Sequence, residues 1–196
     1  LPATGTFAAK HPPLAGRPYI LFLARLHYKK GLDILPEAFA RAARAHEDLQ
    51  LVVAGPDEGS RQSFEADIHK LGIAHRVHIV GPLYGPDKLA AIRDAMCFCL
   101  PSHQEGFSLA VIESLGCGVP VVISEGCHFP EVAQAGAGEV LPRQAAVFGD
   151  ALSRIAGDKS LRQRMSDSAR ELVEKNYTWP HIAQQTVDMY QRSLEA

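Results

Sequence analysis

Glu105 and Glu113 bracket a short polar loop, Gly106-Phe107-Ser108, which leads through Leu109 into an apolar run. A helix beginning at this loop would aim its unpaired N–H groups at the loop mouth, where an anion binds. Carboxylates flanking that mouth can accept hydrogen bonds from hydroxyls next to a phosphate. Far upstream, Arg25 and Lys30 follow another apolar run. Arg25 offers a planar, bidentate cation and Lys30 a compact point charge. Anion donors set between two acceptors for diols suggest a sugar nucleotide. Each residue also has a plainer reading, since isolated carboxylates and surface cations are mostly solvated. Position at strand exits favours function.

The elements that must hold these residues are legible as apolar runs. Tyr19 to Ala24, Leu49 to Ala54, Val77 to Val80, Cys97 to Leu100 and Val121 to Ser124 lack polar alternation, the mark of strands buried on both faces. Glu139-Val140-Leu141 is a short sixth candidate. Between them, Leu32, Leu35, Phe39 and Ala42 recur at helical spacing, with Pro36 in the first turn and Asp33 as a plausible cap. Further helices are expected over 61–71, stopped by Gly72, over 87–95, and from Arg143 to the end. Ile182, Val187 and Tyr190 or Met189 form a late stripe. Residues 1–17, with three prolines and two glycines and no periodicity, read as a linker or N-terminal arm, and 18–196 as one domain.

Strands alternating with helices predict an α/β fold, a Rossmann-like doubly wound parallel sheet of about six strands with helices on both faces. Ligands of such sheets bind beyond the carboxyl ends of the strands, where strand order reverses. That draws attention to Arg25–Gly31, Gly55–Gly59, Gly81–Gly85 and Ser102–Ser108.

Composition narrows the choice of function. The 196 residues are 46% hydrophobic and 21% charged, and the formal net charge of -2 carries no long run of either sign, which argues against nucleic acid as partner. No apolar run approaches the roughly 20 residues that span a bilayer. The opening LPATG matches a sortase sorting signal, but such signals act near a C-terminus ahead of a membrane tail, so it is read as coincidental or added. Cys97, Cys99, Cys117 and Cys127 lack the paired C-x-x-C spacing of a zinc site. Buried reduced thiols, and with them a cytoplasmic setting, are expected.

The motifs in order resemble one family. Ala24-Arg25-Leu26 with Lys30-Gly31 is similar to a G-R-L-x-x-x-K-G turn; Val53-Ala54-Gly55 and Val80-Gly81-Pro82-Leu83 follow. Pro101-Ser102, Glu105-Gly106-Phe107-Ser108-Leu109 and Glu113 resemble P-S-x-x-E-G-F-G-L-x-x-x-E, continued by Gly118-Val119-Pro120-Val121-Val122 and Pro130-Glu131-Val132. This resembles the C-terminal, donor-binding domain of a GT-B retaining glycosyltransferase of family 4 (group 1). Ala24 and Ser108 stand where glycines are usual, and both are small.

The resemblance implies catalytic roles for Arg25 and Lys30, holding the donor diphosphate without a metal, and for Glu105 at the sugar hydroxyls. It places Glu113 on the ribose diol, the backbone of Gly106, Phe107, Ser108 and Leu109 at phosphate and sugar, and Leu83 and Gly55 near the base. No cofactor is implied beyond a UDP-, GDP- or ADP-linked sugar as substrate. The acceptor-binding N-terminal domain is not in these 196 residues, so the chain alone is expected to be inactive. The full-length protein could also sit at the inner face of the cell membrane. A 2-epimerase-like enzyme and a non-catalytic binding module are the other readings. The Phe107 side chain is expected to pack in the core beneath the loop, Glu131 to stabilise a helix terminus, and His103 to orient Glu105 or stand partly exposed.

Overall fold

Six apolar runs become the parallel strands β1 (Tyr19–Leu23), β2 (Gln50–Ala54), β3 (Val77–Gly81), β4 (Cys97–Leu100), β5 (Val121–Ser124) and β6 (Gly138–Leu141) in a computed structural model that describes residues 1–195. Their order is β3-β2-β1-β4-β5-β6, and every pairing is parallel. Strands β1, β2, β4 and β5 are buried almost throughout, because helices cover both faces. Edge strand β3 is half-buried along its length. The chain runs outward from β1 to β3, then returns to β4 on the other side of β1. The reversal opens a crevice beyond the carboxyl ends of β1 and β4. Every functional residue named above on a strand exit lies at that end.

Helices α1 (Thr6–Lys10), α2 (Leu35–Ala43), α3 (Arg61–Lys70), α4 (Gly85–Asp94), α5 (Leu109–Gly116), α6 (Glu131–Gln134), α7 (Ala145–Gly157), α8 (Lys159–Asn176) and α9 (Trp179–Glu195) complete the fold. Helix α2 packs on α7 and α5 on α8. The spacing of Leu35, Phe39, Ala42 and of Phe148, Leu152, Ile155 puts each set on one buried face. Among the described residues, no helix is long and apolar enough to cross a membrane.

The structure corrects several expectations. Asp33 does not cap α2: Ile34 precedes the helix without a side-chain bond, and both Asp33 oxygens accept from Arg143 at 2.9 Å. The turn is instead closed by the positive φ of Gly31. Of the two readings of residues 1–17, linker or N-terminal arm, the packing favours the arm. Phe7 and Leu14 are buried, and Asp94 accepts from the N–H groups of Gly5, Phe7 and Ala8, anchoring α1 to α4. The late stripe lies on a helix, α9, as read, and its Val187, Met189 and Tyr190 are exposed, together with Trp179 and Leu194. All four cysteines are buried and unbridged, as expected. Desolvation raises their thiol pKa values, that of Cys97 to about 12.

Candidate donor-binding site

Three loops converge at the crevice, and two glycines let them approach. Gly31 has φ 83°, and a Cβ there would fall 1.9 Å from the Pro101 carbonyl oxygen. Gly55 has φ 149°, and its Cβ would fall 1.8 Å from the Ala24 oxygen. Bare backbone at these two points brings the β1 exit against the β4 and β2 exits. Hydrogen bonds fix the junction. The Lys29 carbonyl accepts from the His103 N–H at 2.7 Å and from the Ser102 hydroxyl at 2.7 Å, and the Glu105 N–H donates to the Gly126 carbonyl at 2.8 Å. Buried Ser124 donates its hydroxyl to the Ser102 carbonyl. The loop carrying Glu105 is thus pinned from both sides.

Within this frame the Lys30 ammonium donates to both Glu105 oxygens at 2.7 Å, with the side chains only 16% and 9% exposed. Glu113, one helical turn inside α5, accepts from Lys88 at 2.5 Å. Arg25 stands at the rim and donates through Nη1 to both oxygens of Glu58, at 2.9 and 2.7 Å. Ser108 caps α5 in extended conformation without a side-chain bond of its own, so the first N–H groups of that eight-residue helix face the crevice.

The crevice has two chambers. The larger, about 490 Å³, is lined by Arg25, Lys30, Lys88, Glu105, Glu113, the loop residues Phe107 and Ser108, and Leu109 and Ala110 at the start of α5. The smaller, about 150 Å³, is lined by Gly55, Pro56, Pro82, Leu83 and Tyr84. Leu23, Ala24 and Arg25 form the wall common to both. The larger chamber is charged at its floor and suits a diphosphate and polyhydroxylated body. The smaller is apolar, with a flat exposed ring, Tyr84, at its edge, and suits a heteroaromatic base. Among the described residues, no group of three His, Cys, Asp or Glu side chains is placed to hold a metal ion.

The sequence matches the family described as glycosyl transferases group 1 over residues 5–172. The chain belongs to that family. Similar proteins include the glycogen synthase of Mycobacterium tuberculosis, 30% identical over 187 residues that cover 94% of this chain and 44% of the synthase. Among solved structures, the sucrose-phosphate synthase from Thermosynechococcus elongatus superposes with a TM-score of 0.82 at 25% identity, covering 98% of this chain and 49% of that one. HepE of Anabaena, solved in complex with UDP, gives a TM-score of 0.82 at 18% identity, covering 94% of this chain and 51% of that one. The chain therefore spans about half the length of the curated relatives it matches.

In this group 1 glycosyl transferase chain, nine of the ten residues singled out from sequence line one chamber or the other: Arg25, Lys30, Glu105, Phe107, Ser108, Leu109 and Glu113 the larger, Gly55 and Leu83 the smaller. Gly106 lines neither and faces open space in the loop. Phe107 departs from expectation, being 62% exposed and not in the core. Its ring lies 6.3 Å from those of Phe129 and Tyr177, so it leans on an aromatic ledge outside the sheet. His103 is exposed, with Nε2 3.7 Å from Asp33, and does not orient Glu105. Glu131 is the first residue of α6, as the dipole reading requires.

Sequence reasoning missed Glu58, Lys88 and Tyr84. Glu58 lies in a turn already noted for its glycines, and its charge opposite Arg25 was the available signal. Lys88 sits in the first turn of α4, where a cation opposes the helix dipole and so needs another partner. That oddity pointed to Glu113.

Proposed function

We propose that this chain is the donor-binding half of a retaining glycosyltransferase, which holds a nucleoside-diphosphate sugar while the sugar passes to an acceptor hydroxyl. One observation carries the reading. Two cations, two carboxylates and the N-terminus of α5 meet in a single crevice at the point where strand order reverses. The UDP held by HepE supports a nucleoside diphosphate as the ligand class.

The chemistry follows from charge. Breaking the anomeric C–O bond leaves negative charge on the diphosphate, and fixed cations and helix N–H groups stabilise that charge more in the transition state than in the bound donor. Arg25 and Lys30 supply this without a metal. Both cations are held by carboxylates, Arg25 by Glu58 and Lys30 by Glu105. A diphosphate would draw Lys30 and Arg25 off these partners and release Glu105 to accept from the sugar hydroxyls, while Glu113 accepts from the ribose diol. Glu105 thus gains hydroxyl donors as it loses its cation, while Glu113 stays paired with Lys88.

Acceptor binding requires a second domain, as the relatives' length suggests. The exposed apolar residues of α9, Trp179, Val187, Met189 and Tyr190, suit burial against it. Titration of the chain with UDP, GDP and ADP tests the reading: binding of one or more, with no turnover of the corresponding donor by this chain alone, is expected.

A further inference from the structure

A second polar cleft lies at the opposite end of the sheet from the donor crevice, where β4 and β5 begin. It is an open cleft of about 330 Å³ between the end of α4, the Cys117–Pro120 turn and the first three turns of α8. Arg93, Lys159, Arg162 and Arg170 line it, with Gln163, Ser166 and Thr4, and among the described residues no carboxylate does. Two of these cations have structural duties. Arg93 donates to the Pro2 carbonyl, and Arg162 donates to the carbonyls of Ile155 and Ala156 at the end of α7. Lys159 and Arg170 have no such explanation. Among the described residues, Lys159 forms no ion pair and Arg170 reaches only Asp167, in a single 3.3 Å contact.

Arg170 is nonetheless placed with care. Gly118 has φ 73°, and a Cβ there would fall 2.4 Å from the Arg170 guanidinium carbon. Absence of a side chain lets the guanidinium lie flat against the turn at the cleft wall. We propose that this cleft binds a small phosphate monoester, with Arg170 and Lys159 on the phosphate and Gln163 and Ser166 on its organic part. A planar guanidinium and a mobile ammonium suit that oxyanion. The volume is roughly ten times the ~30 Å³ share of a water, so it has room for more than a bare ion. The turn it touches links α5 to β5, so a ligand here would sit at the far end of the helix whose start faces the donor.

Backbone amide NMR of the 196-residue chain, titrated with inorganic phosphate and with glycerol 3-phosphate, tests this. Saturable shifts are expected at Gly118, Val119 and Ser166. The double variant Lys159→Gln, Arg170→Gln, both exposed positions that leave the core untouched, should weaken that response by about tenfold or more. Arg25→Ala should leave it unchanged, which separates this site from the donor crevice. Shifts confined to the start of α5, or an unchanged response in the double variant, would overturn the proposal. So would capture by phosphatidylglycerol vesicles without any response to the two soluble phosphates, since the ligand would then be a lipid headgroup.

Discussion

Lys30 and Glu105, separated by 74 intervening residues, form the most enclosed ion pair of the donor crevice, with the ammonium 2.7 Å from each carboxylate oxygen. The pair joins the β1 exit to the β4 exit, so it reports directly on the assembly of the site. Removing one partner leaves the other charge largely desolvated. Lys30→Met should therefore destabilise the chain by about 3 kcal/mol, read as a fall in the urea midpoint. Lys30→Met with Glu105→Gln should recover most of the loss. A double variant as unstable as the single one would place the damage in packing and not in the stranded carboxylate.

Arg25 is different in kind. It is exposed and its pair with Glu58 is worth little to the fold. Arg25→Ala should leave the unfolding midpoint unchanged while weakening nucleoside-diphosphate binding by about 1.5–3 kcal/mol, the range for hydrogen bonds to charged groups. Calorimetry giving equal affinity for the variant would remove Arg25 from the site.

Glu113 separates the two parts of the ligand. On the proposed contact of Glu113 with the ribose diol, Glu113→Gln should weaken a nucleoside diphosphate and spare inorganic pyrophosphate. Parallel loss of both, measured under the same conditions, would show that Glu113 acts through Lys88 on the phosphates and not on the ribose.

Much of this site could be read from sequence because the strand exits are where strand order, loop chemistry and motif coincide. Arg25, Lys30, Glu105 and Glu113 all sit beside buried apolar runs, which fixes their end of the sheet. Phe107 is apolar, and hydrophobicity alone does not distinguish a residue facing the core from one left on the surface. Asp33 fails for another reason. It has the right type and place for a cap, but Arg143 comes from 110 residues away and competes for its carboxylate. Nothing local announces such a partner. The docking of Phe7 and Leu14 was hidden in the same way, since three prolines and two glycines masked five helical residues.

Histidine provides a pH test of the fold. Burial, with Arg17 and His11 nearby, lowers the pKa of His78 from its ordinary 6.5, and its Nε2 lies 3.0 Å from the Gln50 side-chain oxygen. The folded chain keeps this ring neutral while the unfolded chain takes up a proton first. Its contribution to stability is thus complete above pH 6.5 and is lost as pH falls from there towards the lowered value. His78→Gln should flatten that part of the decline in urea midpoint between neutral and mildly acidic pH. A slope as steep as the parent's would assign the decline to other groups.

Calorimetric titration of the chain with UDP, GDP and ADP tests the central claim most directly. The crevice predicts saturable binding of at least one nucleoside diphosphate, lost together with Arg25 and Lys30. No heat with any of the three would contradict a donor site at the β1–β4 reversal.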